Sequence, residues 1–343
     1  MAYTTIDDPS AHFQTITYSG NGASRSITNT GNSDLKPDWV WIKERNNAVS
    51  HRIFDSSRGA TKRIFSNNAD AESTQSNSLT AFNTDGFSLG DGGSVNGGSD
   101  TYVAWQWAAN GGTTSSNTDG TITATVQANT TAGFSIVTFT GNGASQTVGH
   151  GLNQAPVLSI RKKRETTGDW FVHTNVFDGG MDYLKLSTTG ASSSSSLANF
   201  TSTTGAADDN SNQYVVYFFH SVKGYSKIGT YTGNGSTDGT FVYTGFRPSW
   251  LMYKNTSSTS NWIIRDNKRT TSGGTNPNGT VLLPNASSAE STNDSATVID
   301  LLSNGFKIRN TENNDNTDGN NYIYMAFAEH PFVSSKGVPV TAR

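Results

Sequence analysis

A chain of 343 residues is long enough for two or three domains. It is 33% hydrophobic and 15% charged but carries 17 Phe, 12 Tyr and 7 Trp, which excludes a disordered chain, since those are aromatic-poor and strongly charged. The absence of cysteine removes disulfide frameworks, thiolate zinc sites and cysteine nucleophiles together, and a net charge of −3 leaves no electrostatic footprint for nucleic acid.

In chain order, an arm over residues 1–12 (MAYTTIDDPS at its start) lacks the basic-then-apolar pattern of a signal sequence. No run anywhere approaches the roughly 20 apolar residues of a membrane span, so no membrane insertion is expected. Residues 13–110 form a first unit with four landmarks. These are the turn Tyr18-Ser-Gly-Asn-Gly22, the strand Pro37-Asp-Trp-Val-Trp-Ile-Lys43, the short stretch His51-Arg-Ile-Phe-Asp55 and the aromatic run Tyr102-Val-Ala-Trp-Gln-Trp107. Asn110–Asn117 is rich in Gly, Ser, Thr and Asn and reads as flexible, within a linker over 111–132. That linker also holds Thr121–Gln127, which alternates like an edge strand.

The landmarks return in residues 133–223 as Phe139-Thr-Gly-Asn-Gly143, Pro156 to Lys162, Trp170-Phe-Val-His-Thr174 and Tyr214 to Phe219. They return again in residues 224–333 as Tyr231-Thr-Gly-Asn-Gly235, Pro248 to Lys254, Trp262-Ile-Ile-Arg-Asp266 and Tyr322 to Phe327. The same order three times marks an internal repeat. The second and third units abut at Ser221–Tyr225, which predicts a fixed angle there and more freedom after the first unit. A second arm covers 334–343. Apolar residues two apart, such as Trp39 with Trp41 and Val103 with Trp105 and Trp107, have the strand period. Asn-Gly and Asp-Gly turns separate the strands. Thr61–Ala71 and Ser287–Asp294 are the two places with room for a helical turn. The expected fold is all-β, a tandem of antiparallel β-sandwich units of jelly-roll or lectin-like type.

The residues that carry chemistry elsewhere read blandly here. His12, His51, His150, His173, His220 and His330 lack metal-site spacing. The Gly-Asn-Gly turns precede no helix and so offer no phosphate cradle. Arg161-Lys162-Lys163-Arg164 is the strongest basic cluster and reads as a solvated strand end, with an anionic glycan as the alternative. Asp7-Asp8 and Asp208-Asp209 do not form the acid and base pair of a glycoside hydrolase. Asn313–Asn320 has oxygen ligands for calcium but not the EF-hand spacing, and reads as a solvated turn. The Trp and Tyr side chains suit sugar stacking, but their alternation assigns most of them to the core. No catalytic, cofactor-binding or metal residue is expected, no cofactor is implied, and the ligand-binding residues are left open.

The opening Tyr3-Thr-Thr-Ile-Asp-Asp-Pro-Ser-Ala-His-Phe13, the first-unit elements from YSGNG to YVAWQW, and the ending Tyr322-Ile-Tyr-Met-Ala-Phe-Ala-Glu-His-Pro-Phe332 resemble repeated modules in structural proteins of marine bacteriophages. The second unit lacks the Trp-x-Trp-Ile-Lys and Asp-x-x-Arg-Gly elements. The resemblance implies a virion location, on the tail or the capsid exterior, and no catalytic residues. The expected role is a tail fibre or tail-associated appendage for host attachment. The alternatives are a head fibre or decoration protein and a glycan-degrading virion enzyme. Expected partners are other virion proteins and a host-surface glycan. Exposed sheet edges, the Thr121–Gln127 segment and the arms point to a homo-oligomer, a homotrimer first.

Overall fold

The strand period of two places each residue of Trp39–Glu44 on one of two faces, and both faces are covered. Trp39 and Trp41 face one apolar cluster, Val40 and Ile42 another, and all four are buried. The same two-sided burial recurs in each unit, and from it the whole architecture follows. The computed structural model describes residues 3–143, 145–207, 211–269, 276–292 and 298–340.

Each unit has an inner antiparallel sheet with one strand order. In the first unit it runs Phe13–Ser19, Thr101–Trp107, Trp39–Glu44, Arg52–Asp55. In the second, Phe134–Thr140, Gln213–Phe219, Leu158–Lys163 and Phe171–Thr174 are the same four strands, extended at both edges to eight. In the third they are Ser226–Thr232, Asn321–Pro331, Phe246–Asn255 and Trp262–Asp266. The aromatic run that closes each unit is a central strand, as its two apolar faces require. A smaller outer sheet covers one face. It comprises Arg25–Ile27, Phe87–Leu89 and Leu79–Phe82 in the first unit, and Gln146–Gly149 with Thr204–Ala207 in the second. In the third it comprises Phe241–Tyr243, Gly305–Ile308 and Ile299–Leu302. The fold is all-β, and each unit is an antiparallel sandwich with its own apolar filling between the sheets.

The registers match across units. Trp39 sits opposite Trp107 and Asp55, Leu158 opposite Phe219 and Thr174, and Trp250 opposite Phe327 and Asp266. The other faces of the three inner sheets meet in one shared core. Trp39, Trp41, Trp105 and Trp107 join Phe134, Tyr217 and Phe219 of the second unit and Trp250, Met252 and Phe327 of the third. Trp107 contacts Trp250 with ring centroids 5.4 Å apart, and Trp39 stacks on Tyr217 at 4.6 Å. All seven tryptophans are buried.

Several expectations need correction. The Gly-rich stretch after the first unit is held in place rather than free. The Asp38 carboxylate accepts from the Ala109 and Gly111 amides at 2.8 Å, and the Gln127 side-chain oxygen accepts from Gly112 at 2.7 Å. Of Thr121–Gln127, residues from Ala124 onward form a strand of the second unit's own inner sheet, paired with Phe134–Thr140, so its backbone needs no second chain. The helical turns lie at Pro9–Ala11 and Gly93–Asn96, whereas Lys62–Arg63 is a strand. Ser287–Asp294 extends past the described residues at 293. The arms lie on their own chain: Tyr3 donates to the Gly245 carbonyl at 2.8 Å, and Ser335 donates to the Asp7 carboxylate through its backbone amide and its hydroxyl.

Candidate functional site: a cleft between the first and third units

Three seams separate the units, and one set of backbone contacts repeats around them. Glu72 N–H donates to Arg164 C=O across the first seam (units one and two) at 2.7 Å. Glu290 donates to Arg45 across the second (units three and one) at 2.7 Å, and Ser192 to Thr256 across the third (units two and three) at 3.0 Å. The Trp170 indole donates to Phe65 C=O at 2.6 Å and the Trp262 indole to Lys185 C=O at 3.0 Å. His51, the equivalent residue of the first unit, interacts with the Leu283 backbone. The units are thus related by an approximate threefold.

Side chains break that symmetry. At the first seam Arg58 bridges Asp55 at 2.5 Å and Glu72 at 3.0 Å, Arg164 reaches Glu72 at 3.0 Å, and Tyr217 donates to Asp55 at 2.6 Å. At the second, Arg269 bridges Asp266 at 2.6 Å and Glu290 at 2.8 Å, Arg45 reaches Glu290 at 2.7 Å, and Trp105 donates to Asp266 at 2.9 Å. The Asp-x-x-Arg spacing creates both networks, because each Asp side chain also accepts the backbone N–H of the Arg three residues on. The second unit has Thr174 and Phe177 at those positions, so among the described residues the third seam shows no such network.

The second seam opens into a cleft of about 240 Å³. One wall is Phe13, Gln14 and Thr15 with Asp8 and Ser10 of the arm; the other is Ser249, Asn267 and Lys268 with Ala328, Glu329 and His330. Thr15 Oγ1 and Asn267 Oδ1 are buried there without a hydrogen-bond partner among the described residues. The acidic groups of the lining are partly engaged: Glu329 pairs with Arg247 at 3.0 Å, and Asp8 accepts from Ser10 and Ser33. Burial of Asp8 works against ionisation, but the hydroxyls of Ser10 and Ser33 win and hold its carboxyl below the usual range.

Of the residues singled out from sequence, Asp8 and His330 line this cleft and the others do not. His51 is buried, and because its Nδ1 accepts the Trp41 indole N–H at 2.9 Å its proton sits on Nε2. Burial, reinforced by the Lys43 ammonium, holds it well below the usual imidazole range. Burial also lowers His12, His150 and His220, while His173 lies between Phe171 and Tyr183. The basic cluster is not a solvated strand end: Arg161 and Lys162 are buried, and Arg164 is in the first-seam network. Asn313–Asn320 is a turn solvated only in part, with Asn313, Asp318 and Gly319 exposed and Asp315 and Asn316 buried. Asp315 is buried against Tyr253, and burial raises its carboxyl. Asn316 donates to Asn234 Oδ1, Ser236 C=O and Asn310 C=O, clamping the Gly-Asn-Gly turn as Asn96 does in the first unit. Asp208-Asp209 lies outside the described residues. Among the described residues no three His, Asp or Glu side chains converge as metal ligands.

Sequence reasoning missed Thr15, Ser249, Asn267 and Lys268. The repeat carried the signal, since three residues before each turn aromatic stand Thr15, Ile136 and Ile228. No curated protein and no solved structure matches the chain. One family model spans all three units as a single stretch, and the chain belongs to that family, DUF7483, a domain of unknown function matching residues 8–331.

Proposed function

We propose that this protein is a non-enzymatic structural component of a bacteriophage virion, a tail fibre or tail-associated appendage that contacts the host surface. The module resemblance motivates the virion location. The observation that carries the non-enzymatic role is the placement of four carboxylates at the seams. Asp55, Glu72, Asp266 and Glu290 are committed to arginines within the seams, where they fasten units together. A carboxylate whose oxygens are taken up by a buried guanidinium has no free oxygen to offer a substrate proton.

Gold-labelled antibody on intact particles tests the location, with label on the tail expected. Label over the head selects a head-surface decoration, a reading that the closed grouping of three units around one core also suits. Release of reducing ends from host envelope polysaccharide would replace both with a glycan-degrading enzyme. Assembly as a homotrimer belongs to the same proposal. Its support is the edge strand Phe241–Tyr243, whose Phe241 and Tyr243 are 44% and 48% exposed.

A further inference from the structure

We propose that the cleft at the second seam binds a single residue of a neutral saccharide, an inference argued from the cleft's own atoms and independent of where the protein sits on a particle. The approximate threefold supplies two internal controls. Thr15 pairs with Trp105 in the register where Ile136 pairs with Tyr217 and Ile228 with Met325. The first unit therefore puts a hydroxyl where the other two put core isoleucines.

The opposite wall shows the same exchange. Ser249, Asn267 and Lys268 are the equivalents of Asp38, Ser56 and Ser57 at the first seam and of Val157, Asn175 and Val176 at the third. At the first seam the space is filled from within the chain. The Ala109–Gly112 loop sits there with its amides on Asp38 and Gln127, and Gln127 donates to Ser56 and Ser57 at 2.9 and 3.0 Å. At the third seam Val157 and Val176 pack against the shared core. At the second seam the equivalent residues instead line an open cleft.

Its chemistry selects the ligand. A buried polar atom left unpaired carries its full desolvation penalty, so Thr15 Oγ1 and Asn267 Oδ1 reward an occupant with its own donors and acceptors. Both are uncharged groups that match hydroxyls. Asp8 and Glu329 on the lining oppose an anion, and Lys268 opposes a metal cation. Phe13 and Ala328 offer an apolar surface for ring C–H groups, and the volume falls below that of sites for drug-sized ligands, in the range of one sugar ring.

The full chain should be titrated with glucose, galactose, mannose, N-acetylglucosamine and N-acetylgalactosamine at millimolar concentration, followed by saturation-transfer NMR. At least one sugar should bind. Thr15→Ile, which installs the side chain of the other two units, should weaken it at least tenfold with no fall in the thermal midpoint, and Thr15→Ser should retain it. Asn267→Ala should weaken binding in the same direction and serves as the second reading if Thr15→Ile disturbs folding. Three results overturn the proposal: no sugar binds, binding survives both Thr15→Ile and Asn267→Ala, or inorganic phosphate competes for the site. None of these bears on the gold-labelling outcome, so the two ideas fail separately.

Discussion

Trp105 of the first unit donates its indole N–H to Asp266 of the third at 2.9 Å, and the guanidinium paired with that carboxylate, Arg269, lies over the same indole at 5.5 Å. One aromatic thus touches both members of a buried ion pair across a seam. Removing the carboxylate leaves Arg269 uncompensated and takes an acceptor from Trp105. Asp266→Ala is expected to cost about 3–5 kcal/mol in urea denaturation, the range for breaking a buried pair. A loss below about 1 kcal/mol would mean that Glu290 alone satisfies Arg269.

The shared core predicts one unfolding transition. Trp41 and Trp105 are fully buried among residues of the central cluster, so Trp41→Ala should cost about 3–5 kcal/mol and lower the midpoint of the whole chain. Calorimetry resolving separate transitions for the three units, with only the first shifted by the substitution, would show that the units fold independently.

Acid should unfold the protein earlier than its carboxylates alone require. His12, His51, His150 and His220 all have imidazoles lowered by burial from an ordinary value of 6.5. The unfolded chain then binds more protons than the native one as pH drops through that value, so stability rises with pH there and is lost on acidification. Denaturation midpoints should fall progressively below about pH 6.5, and His51→Gln should flatten part of the slope. A midpoint constant from pH 7 to 5 would contradict neutral, buried rings.

The lysines that end each Pro-to-Lys stretch behave alike. Lys43, Lys162 and Lys254 are buried, each donates to nearby loop carbonyls, and burial brings each down to about 8. Between there and the ordinary 10.5 the unfolded state holds more protons, so these groups make stability climb as pH rises above about 8. Lys254→Met should remove that rise in part. It should also cost about 1–3 kcal/mol at pH 7, because Asn255 C=O and Ser258 C=O lose their donor. Identical alkaline profiles for wild type and variant would refute the assignment.

Sedimentation equilibrium tests assembly. A trimer at micromolar concentration is expected from the exposed Phe241–Tyr243 edge, and Tyr243→Lys should dissociate it. A monomer for the unsubstituted chain would withdraw the trimer in solution.

The sandwich units were legible because alternation and turn residues are local signals. The Pro-to-Lys interval even carried the register that puts Trp39, Leu158 and Trp250 at equivalent places. What covers the second face was not legible. Trp39 and Trp41 read as core, yet nothing in their spacing says that Tyr217 and Trp250 complete it from other units. Charge was misread for a similar reason: Arg161 and Lys162 look solvent-facing in sequence because their partners are far along the chain, as Ala69 C=O is for Lys162. The cleft was half legible. Thr15 stands out against Ile136 and Ile228 once the turns are aligned, but the wall it faces comes from a unit more than two hundred residues away.

The seams also differ in how much the covalent chain does for them. The second and third units are joined through residues 220–225, so each holds the other at high effective concentration, and a seam so tethered needs little further attraction. That is the seam with the Ser192–Thr256 hydrogen bonds and without the Asp–Arg–Glu network. The first and third units have the whole second unit between them, and a connection of that length leaves them dilute with respect to each other. There the chain places Asp266, Arg269, Glu290 and Arg45 in one network. Among the described residues, the seam tethered by residues 220–225 goes without that network, whereas the seam joined through residues 108–114 and the one joined through a whole unit both carry it.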